Sequence, residues 1–406
     1  MIDQKPDASN TPLMYNGLMP QEEMLEIGKK QKKLIIGIPK EDHNYEKRVS
    51  LTPEAVEVLI NNGHDVLIES GAGDGANYSN KDYSEHGAFI IETRKQVLGA
   101  DIILKIAPFD DDIENLKGNQ VVFSSLHVNQ QSQDYIKKLM NKKATCVAYE
   151  YIRNEFDCYP VMQSMSSISG NAAVMIAAEL LSNTSGGKGI ILGGISGITP
   201  TEVVIIGAGT AAEFAARAAL GMGAFVKVFD TSVQKLEQLQ RNIGFRLHTS
   251  IFHPQVLMRT LKSADVLIGA VVLLDSGPRF FVTEEMVMNM KKGSVIVDLG
   301  VDQGGCIETS EYRSLLEPTY KKHGVIHYCV PNVPSRVART ASIAISNIIS
   351  PVMIEMGSMG GIKPLLKVKH GVRQGVYIYN GILTNEYIGN RFDIPFKDID
   401  LLMAAF

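Results

Sequence analysis

Short blocks of consecutive apolar residues, punctuated by glycine and polar turns, recur along this 406-residue chain. Residues 34–38, 65–69, 101–106, 120–124 and 145–149 each read as a strand, because runs this short suit buried strands better than helices. Between them the apolar spacing becomes helical. Thr52 can cap a helix whose first position Pro53 would occupy, and Asn61-Asn62-Gly63 can end it. Residues 171–183 are alanine-rich and lack a wide polar face, which predicts a buried helix leading into a second unit. The same alternation resumes with strands at 203–206, 225–229, 264–269, 294–299 and 325–329. A long apolar helix is expected over 340–355. Strand–helix alternation of this kind predicts an α/β fold of two doubly wound, Rossmann-like domains.

The densest signal is TEVVIIGAGTAAEFAARAALGMGAFVKVFD, residues 201–230. Val203 to Ile206 form a buried parallel strand in this reading. Gly207-Ala208-Gly209 turns the chain into an alanine-rich helix that begins at Thr210 and ends near Gly221. The turn has the form G-x-G-x-x-A, with Gly207 for the tight bend, Gly209 for close approach of a pyrophosphate and Ala212 for helix–strand packing. Helix-opening amides would bind the pyrophosphate. Asp230 ends the next strand, about 20 residues on, where an acid can hydrogen-bond a ribose 2′-OH. Thr231 and Ser232 follow it, so no arginine awaits a 2′-phosphate, and NAD is favoured over NADP. The plain alternative is a Rossmann-like unit that binds no nucleotide.

Composition narrows the classes. Net charge is −4 and charged residues make up 21% of the chain, which gives no global basic field for nucleic acid. The run Lys29-Lys30-Gln31-Lys32-Lys33 closes an expected helix over 21–30, where late lysines complement the helix dipole. Cys146, Cys158, Cys306 and Cys329 form no C-x-x-C pair, so a reducing compartment and no metal centre are expected. The N-terminus lacks an apolar signal core, and residues 1–20 read as a mobile arm. No uninterrupted apolar run reaches the ~18 residues of a membrane span. A cytoplasmic protein is the expectation. Gly186-Gly187-Lys188-Gly189 and Gly193-Gly194 read as hairpin turns and do not match a P-loop.

Five blocks in order carry a resemblance: GIPKEDHNYEKRVSLTP, SLHVNQ, PVMQSMSSISGNAA, VIIGAGTAAEFAARAALGMGA, and VDQGGCIE with YCVPNVPSRVART. Together they resemble the alanine dehydrogenase/transhydrogenase family, over nearly everything after residue 32. The resemblance implies an N-terminal extension at 1–32 and an NAD-binding domain at 162–338. The substrate domain would be discontinuous, built from 33–161 and 339–406, with the active site in the cleft between the domains. It also implies reversible, NAD-dependent deamination of a small amino acid to its 2-oxo acid by a homo-oligomer, a hexamer or a dimer.

By the same resemblance Arg48 would hold the substrate carboxylate, a task suited to its bidentate fork; the plain alternative is a surface ion pair with Glu46. His127, at a strand's carboxyl end, would exchange the proton on the substrate oxygen. Asp302 would serve the ammonia or water, the alternative being a cap for Gly304-Gly305. Asn332 would contact both nicotinamide and substrate, or simply turn the chain before Pro334. Met165 would line the substrate pocket and Ser166 the nicotinamide site, with core filling as the other role for Met165.

Three positions depart from the family pattern. Where a second, substrate-binding lysine is usual, the chain reads Lys105-Ile106-Ala107-Pro108. Ser167 replaces an acid, and Val333 a methionine. Lys105 would lie on the same strand face as Ala107, about 6.6 Å away, and its flexible stem could take over substrate binding. Competing expectations are an idle NAD-binding protein of this fold and a soluble relative of the transhydrogenase nucleotide subunit.

Overall fold

The computed structural model describes residues 32–271 and 280–404. The expected arm over 1–20 and helix over 21–30 lie outside the described residues. Strands β1 (Ile35–Ile38), β2 (Asp65–Glu69), β3 (Phe89–Ile91), β4 (Ile102–Leu104), β5 (Val121–Ser124) and β6 (Thr145–Ala148) come first. They are followed by β7 (Glu202–Ile206), β8 (Phe225–Asp230), β9 (His248–Ile251), β10 (Val266–Gly269), β11 (Val295–Asp298), β12 (Thr319–Lys322) and β13 (Val325–Tyr328). A terminal hairpin supplies β14 (Val376–Tyr379) and β15 (Ile382–Leu383).

Among the described residues these strands make two sheets, ordered β15-β14-β6-β5-β4-β1-β2-β3 and β12-β13-β11-β10-β7-β8-β9. The hairpin at the chain end thus extends the sheet begun at its start. Pairing is parallel except where β14 meets β6 and β15, and where β12 meets β13. In each sheet the order reverses beside the first strand. β1 lies between β2 and β4, and β7 between β8 and β10. Such a switch point opens a crevice at the carboxyl ends of the strands, where ligands bind in open α/β sheets.

The apolar runs form these strands because both of their faces are covered. Val203 and Ile205 enter one core with the alanines of the Thr210–Gly221 helix, while Val204 and Ile206 enter the opposite core with Leu257, Leu261 and Val287. All four are fully buried. The first sheet is sandwiched likewise, with Ile36 and Leu104 on one side and Ile103, Val122 and Cys146 on the other. The expected pair of doubly wound, Rossmann-like units is present.

Two helices join the lobes. The first runs Pro160–Leu181 and so starts 11 residues before the expected 171–183. Serines at 164, 166, 167 and 169 have poor intrinsic helix propensity, which hides this half in the sequence. Packing overrides it, and Pro160 stands in the first turn, where its missing N–H costs nothing. The second helix, Ala338–Ser358, follows a tight 3-10 segment, Val333–Val337. Together they are long and apolar enough to cross a membrane by length and composition. Yet Ala338, Ile345, Ile349, Met353 and Met356 fill the core beneath the first sheet. The expected hairpin turns near Gly186 and Gly193 are turns without a strand ladder; only an isolated bridge pairs Ile195 with Ile198.

Candidate active site

At the carboxyl edge of the second sheet, Gly207 has φ +106°, and a Cβ there would meet the Ala270 carbonyl at 2.6 Å. Only glycine fits that turn. Gly209 precedes the helix with no side-chain cap, and a Cβ built on it would meet nothing within 4 Å. Uncapped helix-opening amides beside open space suit a pyrophosphate. Ala212 is fully buried against β7, as close helix–strand packing requires. The Asp230 carboxylate accepts from the Ala208 amide at 2.7 Å and the Ser232 amide at 2.8 Å. It therefore braces the glycine turn and is held at the end of β8, so these residues fit a dinucleotide.

The facing edge of the first sheet carries charge. After β1, residues 46–52 dock onto the second connecting helix and the 3-10 segment before it through buried serines. Ser335 accepts from the Lys47 amide at 2.8 Å, Ser342 from Val49 at 2.9 Å and Ser346 from Thr52 at 3.1 Å. Thr52 in turn caps the Pro53–Asn61 helix through the Ala55 amide. Each hydroxyl satisfies a backbone donor that could not otherwise be buried without cost.

Arg48 is thereby held 8% exposed, with Glu46 at 4%. Its Nε donates to Glu46 Oε1 at 2.8 Å and its Nη2 to Oε2 at 2.6 Å. The expected alternative of an ion pair with Glu46 is realised, buried rather than at the surface. Nη1 points to the Met165 sulfur at 3.2 Å. Asn332, left-handed at φ 59°, donates from Nδ2 to Glu46 Oε2 at 2.8 Å. Arg48, Met165 and Asn332 thus meet around a carboxylate that the sequence reading had given no site role. Burial, the largest single influence, would raise the Glu46 carboxyl, but the Arg48 charge together with the hydrogen bonds from Arg48 and Asn332 holds it below the usual range. Ser166 and Ser167 stand half-buried on the same helix as Met165.

Lys105 directly follows β4, and its amide still pairs with the Phe123 carbonyl of β5 at 2.9 Å. Nζ donates to Glu41 Oε2 at 2.9 Å and to the Pro108 carbonyl at 3.0 Å. Glu41 Oε1 accepts from the Ile106 amide at 2.6 Å. Burial pushes the Glu41 carboxyl up against the pull of Lys105. Nζ also stands 3.5 Å from the Ala107 carbonyl, so the ammonium lies beside the position where the family pattern has its second lysine, with Glu41 as its carboxylate partner.

His127 sits past the end of β5 in a left-handed conformation, φ 48°. Glu150, at the end of β6, accepts from the Leu126 amide at 2.8 Å and the His127 amide at 3.0 Å. That carboxylate fixes a backbone geometry uncommon outside glycine. Across the cleft, Asp302 lies in the 3-10 turn Val301–Gln303 after β11. Beneath it, Asp298 accepts from the Gly300 amide at 3.0 Å and the Ser310 hydroxyl at 2.7 Å. Burial raises its carboxyl. Tyr312 is raised by burial and by the charge of Asp302, with Tyr45 of the other lobe also within electrostatic range. Asp302 and His127 therefore stand on separate loops of the two lobes. Glu46, Glu150 and Asp298 were missed: the link from Glu46 to Asn332 and those from Glu150 to the His127 loop are non-local, while Asp298 is bonded close by in sequence but buried. The only sequence signal was Asp298, a charge inside an apolar strand.

The family model described as "Alanine dehydrogenase/PNT, N-terminal domain" matches residues 37–169, and its C-terminal counterpart matches 173–386. The chain is 39% identical to the alanine dehydrogenase of Bacillus subtilis over 87% of its own length and 94% of that protein's. It is 37% identical to the Staphylococcus saprophyticus alanine dehydrogenase over 90% and 99%. A solved L-alanine dehydrogenase superposes with TM-score 0.82 at 33% identity, covering 89% of this chain and all of that one. A transhydrogenase from Sinorhizobium meliloti gives 0.72 at 25% identity over 87% and 99%. The glycine turn, the two facing sheet edges and these matches agree, and the chain belongs to the alanine dehydrogenase/PNT family.

Proposed function

We propose that this protein catalyses the NAD-dependent oxidative deamination of L-alanine to pyruvate and ammonia, and the reverse amination. The observation that carries the reading is the buried Arg48 fork, which meets Met165 directly and Asn332 through Glu46 at the junction of the two lobes. A guanidinium fixed in this way offers planar, bidentate recognition to a carboxylate. Residues 33–161 and 339–406 form the substrate domain in this reading, and 162–338 the NAD domain. That boundary falls in the first turn of the Pro160–Leu181 helix.

Gly207, Gly209, Ala212 and Asp230 hold the dinucleotide, with Ser166 and Asn332 on the nicotinamide side. When bound, the cofactor supplies hydride exchange with the substrate α-carbon. The protein does the rest. Arg48 anchors the carboxylate, and the shared frame converts an encounter of separate reactants into a single positioned one. His127 donates the proton to the substrate oxygen or takes it away. Asp302 handles protons on the attacking ammonia or water.

The test follows NADH absorbance with ammonium and pyruvate, then with other small 2-oxo acids. Ammonium-dependent NADH loss with pyruvate is expected. Loss with another oxo acid alone would keep the chemistry and move the substrate. His127→Ala should cut kcat/KM by about 10²–10⁴ while NADH still binds. The Lys105–Glu41 pair, beside Ala107, favours a second reading: an NAD-binding protein with impaired turnover. NADH binding without turnover on any oxo acid would select it.

A further inference from the structure

The Arg48 guanidinium has two edges that can take a carboxylate in bidentate fashion. The side-on edge, Nε with Nη2, is already occupied by Glu46 at 2.8 and 2.6 Å. On the end-on edge, Nη1 with the second hydrogen of Nη2, Nη1 meets the Met165 sulfur at 3.2 Å. A thioether is a weak acceptor and yields readily to a carboxylate. Glu46 also accepts from the Arg48 backbone amide at 2.9 Å, so side chain and backbone of the arginine are fixed by one group. Its Oε2 then reaches the other lobe, accepting from Asn332 Nδ2 at 2.8 Å. All four contacts converge on a side chain that is 4% exposed.

We propose that Glu46 is a positioning residue: it takes the side-on edge of Arg48, reserves the end-on edge for the substrate carboxylate, and ties that orientation to Asn332 of the NAD lobe. This rests on the reading of Arg48 as the substrate anchor. Glu46 touches no reacting atom. It acts through the arginine, by denying the fork its other orientation, and through the asparagine, by setting where the nicotinamide-side wall stands. Met165 holds the end-on edge until substrate displaces its sulfur.

A carboxylate beside Arg48 has two opposed effects on an anionic substrate, and their signs separate the ideas. As a mere counter-charge, Glu46 would repel the incoming carboxylate, so neutralising it would lower KM. As a positioning group, its loss frees the fork and KM rises. We expect Glu46→Gln to raise KM for pyruvate and for alanine by about tenfold to a hundredfold, the range of one misdirected charge-assisted contact. kcat at saturation should stay near the parent's, whereas the thermal midpoint should fall because the Arg48 charge loses its buried partner. A KM equal to or below the parent's overturns the proposal, and so does a fall in kcat at saturation that matches or exceeds the rise in KM.

Glu46→Asp keeps the charge but is too short to reach Arg48 and Asn332 together. A smaller rise in KM is expected from it, and it carries the test should Glu46→Gln fail to fold. A parental KM in that variant overturns the proposal as well. Arg48→Lys tells the two levels apart. If Arg48→Lys raises KM and Glu46→Gln does not, only the positioning role falls. If Arg48→Lys leaves KM unchanged, the anchor reading itself is wrong.

Discussion

Lys105 and Glu41 show how far one side chain's surroundings can redirect its chemistry. The pair is buried, with side chains 8% and 4% exposed and 2.9 Å between Nζ and Oε2. Lysine on a strand beside Ala107 suggested a spare substrate ligand; the structure gives its ammonium a buried carboxylate partner from the loop after β1. A buried pair of this kind adds little net stability against an apolar replacement, but removing one member leaves the other charge uncompensated. Lys105→Met is therefore expected to cost about 3–5 kcal/mol in chemical denaturation. The double variant with Glu41→Gln should recover most of that, because the orphaned carboxylate goes with its partner. A single variant as stable as the parent would mean that Glu41 simply protonates in place. Locally encoded features were open to sequence reasoning: the Gly207 turn, Asp230 at the end of β8, the Thr52 cap and Pro53 after it. The pairing of Glu46 with Arg48, two residues on, was legible too; its burial and its link to Asn332 were not, because 286 residues separate those two and no spacing announces the contact.

At the scale of elements, the runs of apolar residues marked the inner strands of both sheets to within a residue or two, since both of their faces are buried; the exception is β14, in the mixed tail, which pairs between β6 and β15. The Pro160–Leu181 helix was legible only in its second half. Its first half is serine-rich, and what holds it is a crossing with the Thr210–Gly221 helix that leaves room for no side chain. A Cβ on Gly170 would lie 2.2 Å from the Ala211 carbonyl and 2.9 Å from the Ala215 amide, both backbone atoms of a packed helix. Helix propensity alone says Gly170→Ala should stabilise by about 1 kcal/mol. Overpacking against backbone says the reverse, by about 1–3 kcal/mol or more. The contact should win. A lower denaturation midpoint with an unchanged m-value is expected, and a higher midpoint would show that the two helices can separate without loss.

For the whole molecule, the two connecting helices matter more than either sheet. The Pro160–Leu181 helix begins with Val161 and Met165 in the core of the first lobe and ends with Ala172 to Leu181 in the core of the second. The return connection does the opposite within a few residues, Val333 lying in the second core and Ala338 in the first. Serines of that connection accept backbone amides of the segment that carries Arg48, and Glu46 joins Arg48 to Asn332. Neither lobe can unfold without pulling a helix from the other's core. NADH, bound through the second lobe, should therefore stabilise both. At ~100 times its Kd the gain is about 2.7 kcal/mol, and it should appear as one transition moved upward as a whole. Fluorescence, with tyrosines in both lobes and no tryptophan in the chain, and calorimetry should agree with each other on the midpoint, both without NADH and at the raised value with it. Two transitions, of which NADH moves only one, would mean that the lobes are thermodynamically separate. The orientation of Arg48 would then depend on closure of the cleft rather than on the connecting helices.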